Sequence, residues 1–204
     1  MKIAIIGAGQ VGGALGARWA ARGHAVAYGV RDPDGERARA ALASSGPAAH
    51  AARPREAAEW GDVVVLAVPH GALAEMLPAL GDLGGKVVID AVNDVAAPAG
   101  APAVAAQVAG LAPGARVVKA FNTMGWNVMT DPAFGDEHAD NYICGDDDGA
   151  KAIVAELSRA IGFAVVDAGP LANAALLEGL ARFWIDLVLR RGLGREIAFR
   201  LLRR

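Results

Sequence analysis

Lys2-Ile3-Ala4-Ile5-Ile6-Gly7-Ala8-Gly9-Gln10-Val11-Gly12 is the stretch that decides the fold. The apolar run from Ile3 to Ile6 suits a strand covered on both faces. The glycines that follow complete G-x-G-x-x-G between that strand and the start of a helix, the context that turns a weak pattern into a strong one. Glycine permits the tight turn and lets backbone N–H groups approach a pyrophosphate, while the positive end of the helix stabilises the anion. Gly7, Ala8, Gly9, Gln10, Val11 and Gly12 are therefore expected to form the phosphate turn of a dinucleotide site.

Outward from this turn, short β-type runs alternate with alanine-rich helical stretches. Strands are expected at Lys2 to Ile6, Ala25 to Tyr28, Asp62 to Ala67, Lys86 to Asp90, Arg116 to Ala120, Asn141 to Cys144 and Ala164 to Asp167, with a weak one near Ala48 to Ala52. Helices are expected at Val11 to Arg22, Pro33 to Ser44, Arg55 to Trp60, Gly71 to Leu80, Pro102 to Ala109 and Asp147 to Ala160. The pattern predicts an α/β, Rossmann-type, mostly parallel sheet with helices on both faces and a helical C-terminal tail. From about Asn173, Leu176, Leu177, Leu180, Trp184, Leu187 and Val188 recur at helical spacing, and after the Arg190-Arg191-Gly192 break a second short helix is expected from Arg195 to Leu202. This gives a dinucleotide-binding unit over 1–172 and a helical segment over 173–204, packed on it and on a second subunit.

Composition narrows the class. A net charge of −2, with the arginines scattered except at the C-terminus, leaves no footprint for nucleic acid. Cys144 is alone, so no internal disulfide framework exists, and no metal-type spacing of cysteine or histidine is present. With no leader or span called, a cytoplasmic chain without a membrane partner is expected. Asp146-Asp147-Asp148-Gly149 is read as a helix N-cap rather than a calcium loop, because the required late acid falls on Ala155.

The second strand bears on which dinucleotide is held. An acid about 20 residues after the glycine loop ordinarily takes the ribose hydroxyls of NAD. This chain has Gly29 there and Arg31 two residues later, able to make charge-assisted contacts to a 2′-phosphate. NADP(H) is expected, with Asp32 as a rival ribose ligand. Ligands in open α/β sheets lie over the carboxyl ends of strands. Ala67-Val68-Pro69-His70 and Asn93 are therefore candidates for the nicotinamide, Pro69 as an apolar wall and His70 and Asn93 as hydrogen-bonding groups. Phe121, Asn122, Thr123 and Met124 combine flat apolar groups with polar ones and are candidate substrate-binding residues for a planar heterocycle.

These same segments carry a resemblance. Ile5 to Gly12, Gly29-Val30-Arg31, Val117-Val118-Lys119-Ala120-Phe121-Asn122-Thr123, Cys144-Gly145-Asp146-Asp147 and Val166-Asp167-Ala168-Gly169-Pro170-Leu171 resemble the NADPH-dependent reductases of the deazaflavin coenzyme F-420. They are similar too to the cytosolic oxidoreductase domain of the STEAP metalloreductases. The resemblance implies NADP(H) on Gly7 to Gly12, its 2′-phosphate at Val30 and Arg31, nicotinamide near Val68 and Pro69, and a deazaflavin or flavin as second redox partner. Val30 departs from the small hydroxyl residue usual in that family, which removes one donor to the phosphate.

The leading expectation is an NADP(H)-dependent oxidoreductase passing hydride between nicotinamide and a deazaflavin or flavin-like acceptor. Transfer between two planar cofactors needs alignment more than acid or base, so no catalytic side chain and no metal are expected. A reductase of a small carbonyl or imine is the alternative, but the related hydroxyacid dehydrogenases carry a catalytic lysine on a long helical domain. Lys2, Lys86, Lys119 and Lys151 all precede the tail. A non-catalytic NADP-binding sensor is the third reading. The apolar tail is expected to make the protein a homodimer.

Overall fold

The computed structural model describes residues 1–98 and 100–204. Along the chain run β1 (Lys2–Ile6), α1 (Gln10–Ala20), β2 (Ala25–Gly29), α2 (Glu36–Ser45), β3 (Ala49–Ala52), α3 (Pro54–Trp60), β4 (Val63–Leu66), α4 (Leu73–Ala79), β5 (Val87–Asp90) and α5 (Val104–Leu111). They are followed by β6 (Arg116–Lys119), α6 (Trp126–Thr130), β7 (Ala133–Phe134), β8 (Glu137–His138), β9 (Asp140–Gly145), α7 (Asp148–Ala160), β10 (Ala164–Asp167) and α8 (Ala174–Leu189). The expected strands are all present, including the weak one now seen as β3.

Alternation along the central strands sorts their side chains between two cores. Ile3, Ile5, Val63 and Val65 face one side, where Leu15 and Trp19 of α1, Val128 of α6 and Leu157 of α7 cover them. Ala4, Ile6, Val64 and Leu66 face the other, against Ala57 of α3, Leu77 of α4 and Val104 and Val108 of α5. Because both faces are covered, the strands read as unbroken apolar runs.

One sheet has the order β3-β2-β1-β4-β5-β6-β9-β10, and β7 and β8 make a separate hairpin. From β3 to β6 all pairing is parallel, in the doubly wound order whose reversal between β1 and β4 marks the ligand crevice. β9 then pairs with β6 antiparallel, Val118 opposite Gly145 and Lys119 opposite Cys144. The connection from β6 has only the five-residue α6 and the hairpin, and neither crosses the sheet, so β9 starts at the carboxyl end of β6. Asp147 caps α7, its Oδ1 accepting from Ala150 N at 2.6 Å, as the helix-start reading of the acidic run expected.

The tail corrects one expectation. α8 forms, but Arg195 to Leu202 is not helical. Gly192 and Gly194 take φ of +71° and +77° and reverse the chain. The strap that follows gives its backbone groups to partners elsewhere: Ile197 O accepts from Trp184 Nε1 at 2.8 Å, and Phe199 O from Asp140 N at 3.1 Å. A local helical period lost to these tertiary bonds. No helix among the described residues is long and apolar enough to cross a membrane.

Candidate active site

The turn after β1 has the geometry its glycines imply. Gly7 sits at φ +110°, and a Cβ there would lie 2.4 Å from Ala67 O; one on Gly12 would lie 2.1 Å from Gly7 O. Both positions are closed to side chains by the fold itself. Gly9 differs, since a Cβ on it would meet nothing within 4 Å. Its side faces open space at the start of α1, whose first turn has no side-chain cap. Uncapped N–H groups and the helix dipole suit such a turn to an anion.

At the end of β2, Val30 donates to Ala52 O at 3.0 Å and packs against the core, while the Arg31 side chain is exposed. Arg53, from the end of β3, donates to Arg31 O, fixing the backbone from which that side chain projects. Asp32 is occupied locally: its Oδ1 accepts from Asp34 N at 3.3 Å and its carbonyl from Gly35 N at 3.1 Å, an Asx-type turn leading into α2. Both side chains at this position are exposed, Asp32 with one carboxylate oxygen engaged in its own turn.

The loops after β4, β5 and β6 are tied into one raft. His70 Nδ1 lies 3.3 Å from Asp94 Oδ2, and its Nε2 2.8 Å from Gln107 Oε1. Both ring nitrogens thus have protein partners, so His70 links the β4 loop to the β5 loop and α5. Asn93 Nδ2 donates to Asn122 O at 2.8 Å, and Asn122 Nδ2 returns a bond to Asn93 Oδ1 at 3.1 Å, joining the β5 and β6 loops. Ala67, Val68 and Pro69 stand alongside, Pro69 exposed and the other two half-buried.

Beneath the raft is a cluster of charges. Lys119, fully buried at the end of β6, places Nζ 2.9 Å from Asp90 Oδ2 at the end of β5 and 2.9 Å from Glu178 Oε1 on α8, and it also donates to Val92 O. Asp90 Oδ1 accepts from Val92 N at 2.9 Å, and Glu178 Oε1 from Val104 N at 2.8 Å. Burial pushes the Asp90 carboxyl up from the usual carboxylate range, against the pull of the Lys119 ammonium. Charged residues closing two otherwise apolar neighbouring strands, Val87-Val88-Ile89-Asp90 and Arg116-Val117-Val118-Lys119, were the signal for this cluster in the sequence.

The candidate acceptor residues need correction. Phe121, Asn122, Thr123 and Met124 are all buried. The Phe121 ring points into the core, edge-on to Trp19 at 5.6 Å and Phe163 at 6.0 Å between centroids. At φ +58° its backbone is in the left-handed region, held by Asn141 Oδ1, which accepts from Phe121 N at 2.8 Å. No face of Phe121 is free to stack on a ligand. Trp126, half-buried at the start of α6, is the flat group that remains, and it lines a groove of about 680 Å³ with Gly9, Gln10, Ala14, Arg18 and Arg37. That groove runs along the flanks of α1 and α2 and does not reach the β4 and β5 loops. Trp184 of α8 covers the far side of the same β6 loop, where a Cβ on Gly125 would lie 2.8 Å from its ring.

The family model described as NADP oxidoreductase, coenzyme F420-dependent, matches residues 2–94. A solved structure from Arthrobacter sp. fb24, provisionally named an F420-dependent NADP-reductase, is 31% identical with a TM-score of 0.89 and full coverage of both chains. The chain belongs to the coenzyme F420-dependent NADP oxidoreductase family. Another structure, of a hypothetical protein from Sinorhizobium meliloti, is 35% identical over 86% of this chain and 88% of that one, with a TM-score of 0.75. The metalloreductase STEAP3 of Rattus norvegicus is 31% identical over 182 residues, 88% of this chain; the chain spans about a third of that protein's length, 36%. For an NADP oxidoreductase of this family, the glycine turn and the strand-end raft are the parts of the fold facing the crevice. Cys144 is fully buried, and burial pushes its thiol up to about 12.

Proposed function

We propose that this chain transfers hydride between NADP(H) and a deazaflavin (coenzyme F-420) or flavin-like acceptor. The observation that carries the reading is the open, uncapped turn at Gly9, where an N-terminal helix end and a missing Cβ leave room for a pyrophosphate. The residues present fit the dinucleotide. Gly7, Ala8, Gly9, Gln10, Val11 and Gly12 would hold the pyrophosphate, Val30 and Arg31 the 2′-phosphate end, and Ala67, Val68 and Pro69 one wall of the nicotinamide. The bound nicotinamide supplies or accepts the hydride. His70 and Asn93, engaged by Asp94, Gln107 and Asn122, serve by keeping the loops fixed rather than by moving protons. Phe121 and Met124 lie in the core and the Trp126 groove stops short of the proposed nicotinamide wall, so the acceptor ring is not assigned to any of these three residues. The deazaflavin is favoured among acceptors because the end-to-end relative carries that assignment. NADPH oxidation followed with coenzyme F-420, FMN, FAD and a set of small carbonyls and imines tests this. Turnover with a ring acceptor is expected; oxidation driven only by carbonyls or imines overturns it.

The tail supports a homodimer as the working form. α8 buries Leu177, Ala181, Trp184 and Val188 against the sheet unit, yet Leu176 is 70% and Phe183 53% exposed on its other side. Leu176, Leu180, Phe183 and Leu187 follow four-three-four spacing, a seam for another helix, and Phe183 stacks on Phe199 at 5.9 Å to widen it. Light scattering should give twice the chain mass of 20.8 kDa, and Phe183→Glu should return it to one chain. A wild-type mass of one chain at micromolar concentration rules the dimer out.

A further inference from the structure

We infer that Glu178, on the tail helix, is a positioning residue for the β5 loop that braces the proposed nicotinamide wall, acting through Lys119. This rests on the placement of the nicotinamide proposed above. Val92 is held at both of its backbone groups by the buried cluster: its N–H by Asp90 Oδ1 and its C=O by Lys119 Nζ. The next residue, Asn93, is the one that locks the β5 loop onto Asn122 of the β6 loop. Lys119 is entirely buried, so its three N–H donors have no water to turn to, and the acceptors around it are Asp90, Val92 O and Glu178. Two come from the sheet and one from a helix that joins the domain last in sequence. Without Glu178 the buried ammonium loses one of its two carboxylate partners, and Val104 N at the start of α5 loses its acceptor as well. The Lys119 head then shifts to recover a partner, and the peptide it grips at Val92 shifts with it. The loop floor is therefore set by a side chain 86 positions further along the chain, and no contact between Glu178 and the dinucleotide is needed.

Glu178→Leu removes the acceptor at similar volume, and Glu178→Gln keeps an oxygen facing Lys119. Two readouts are compared: amide exchange at Val92, and the affinity for NADPH relative to adenosine 2′,5′-bisphosphate, the half of the cofactor without nicotinamide. In Glu178→Leu, Val92 exchange should accelerate at least tenfold and NADPH should weaken roughly tenfold, the scale of a buried charge that loses one partner, while the bisphosphate stays within about twofold. Glu178→Gln should remain within about threefold of wild type on both. Leu177→Ala, which loosens the same helix without touching the cluster, should leave the NADPH-to-bisphosphate ratio unchanged. Unchanged Val92 exchange in Glu178→Leu overturns the inference, and so does an equal ratio shift in Leu177→Ala. Faster Val92 exchange with no change in the ratio instead shows that this loop does not brace the nicotinamide, which overturns the inference while leaving the wall at Ala67 to Pro69 untouched.

Discussion

Gly9→Val is expected to abolish dinucleotide binding while leaving the protein folded. The two halves of that result have separate causes. A Cβ on Gly9 meets no protein atom within 4 Å, and the residue is the extended N-cap of α1 with φ −80°, so a branched side chain costs the empty protein little. The proposed site puts the pyrophosphate in this same open space at the helix end, and a steric overlap there, at about 3 kcal/mol or more, should weaken binding by at least roughly a hundredfold. Tm should move by no more than a few degrees while titration with NADPH shows no saturation. A folded Gly9→Val variant that binds NADPH normally removes this turn from the site. Gly12→Val makes the instructive contrast. Its Cβ would collide with Gly7 O at 2.1 Å, so there the fold itself gives way before binding can be asked about.

Arg31→Ala should erase most of a preference for NADPH over NADH. A charge-assisted bond to a phosphate is worth about 1.5–3 kcal/mol, or roughly ten- to a hundredfold in affinity. Asp32 has one carboxylate oxygen engaged by Asp34 N, so under the proposed placement Arg31 is the group expected to meet the 2′-phosphate. Titration of both nucleotides against wild type and variant decides the matter. Equal affinities in the wild type, or a preference that survives the substitution, would exclude Arg31 as the phosphate ligand. NADH affinity should hardly change, because no charge on its ribose faces the missing guanidinium.

What the sequence made legible was whatever depends on neighbours along the chain. The glycine turn, the two-faced apolar strands and the helix start at Asp147 each carry their cause within a dozen residues. Phe121 shows the limit. Its composition suited a ligand platform, but a single left-handed residue turned the ring toward Trp19 and Phe163, which lie 102 and 42 positions away in the chain. The strap after Gly194 failed in the same manner, since its helical period carried no information that Asp140 and Trp184 would take its carbonyls. The partners of His70 were also out of reach of the sequence, since Asp94 after β5 and Gln107 on α5 meet it only in the tertiary structure. Charged Asp90 and Lys119 were visible at adjacent strand ends, whereas their third partner was 59 residues beyond Lys119.

The position of Glu178 in the chain has a consequence for synthesis. A nascent chain released as far as Leu171 already contains every strand of the sheet, including the one that ends in Lys119. In that chain, closing the sheet would bury an ammonium short of an acceptor and leave Val104 N unmatched, an outcome folding energetics disfavours. Closure of the β5 and β6 ends is therefore expected to be complete only once α8 has emerged. On that expectation the buried Asp90–Lys119–Glu178 cluster ties compaction of this end of the sheet to the arrival of α8.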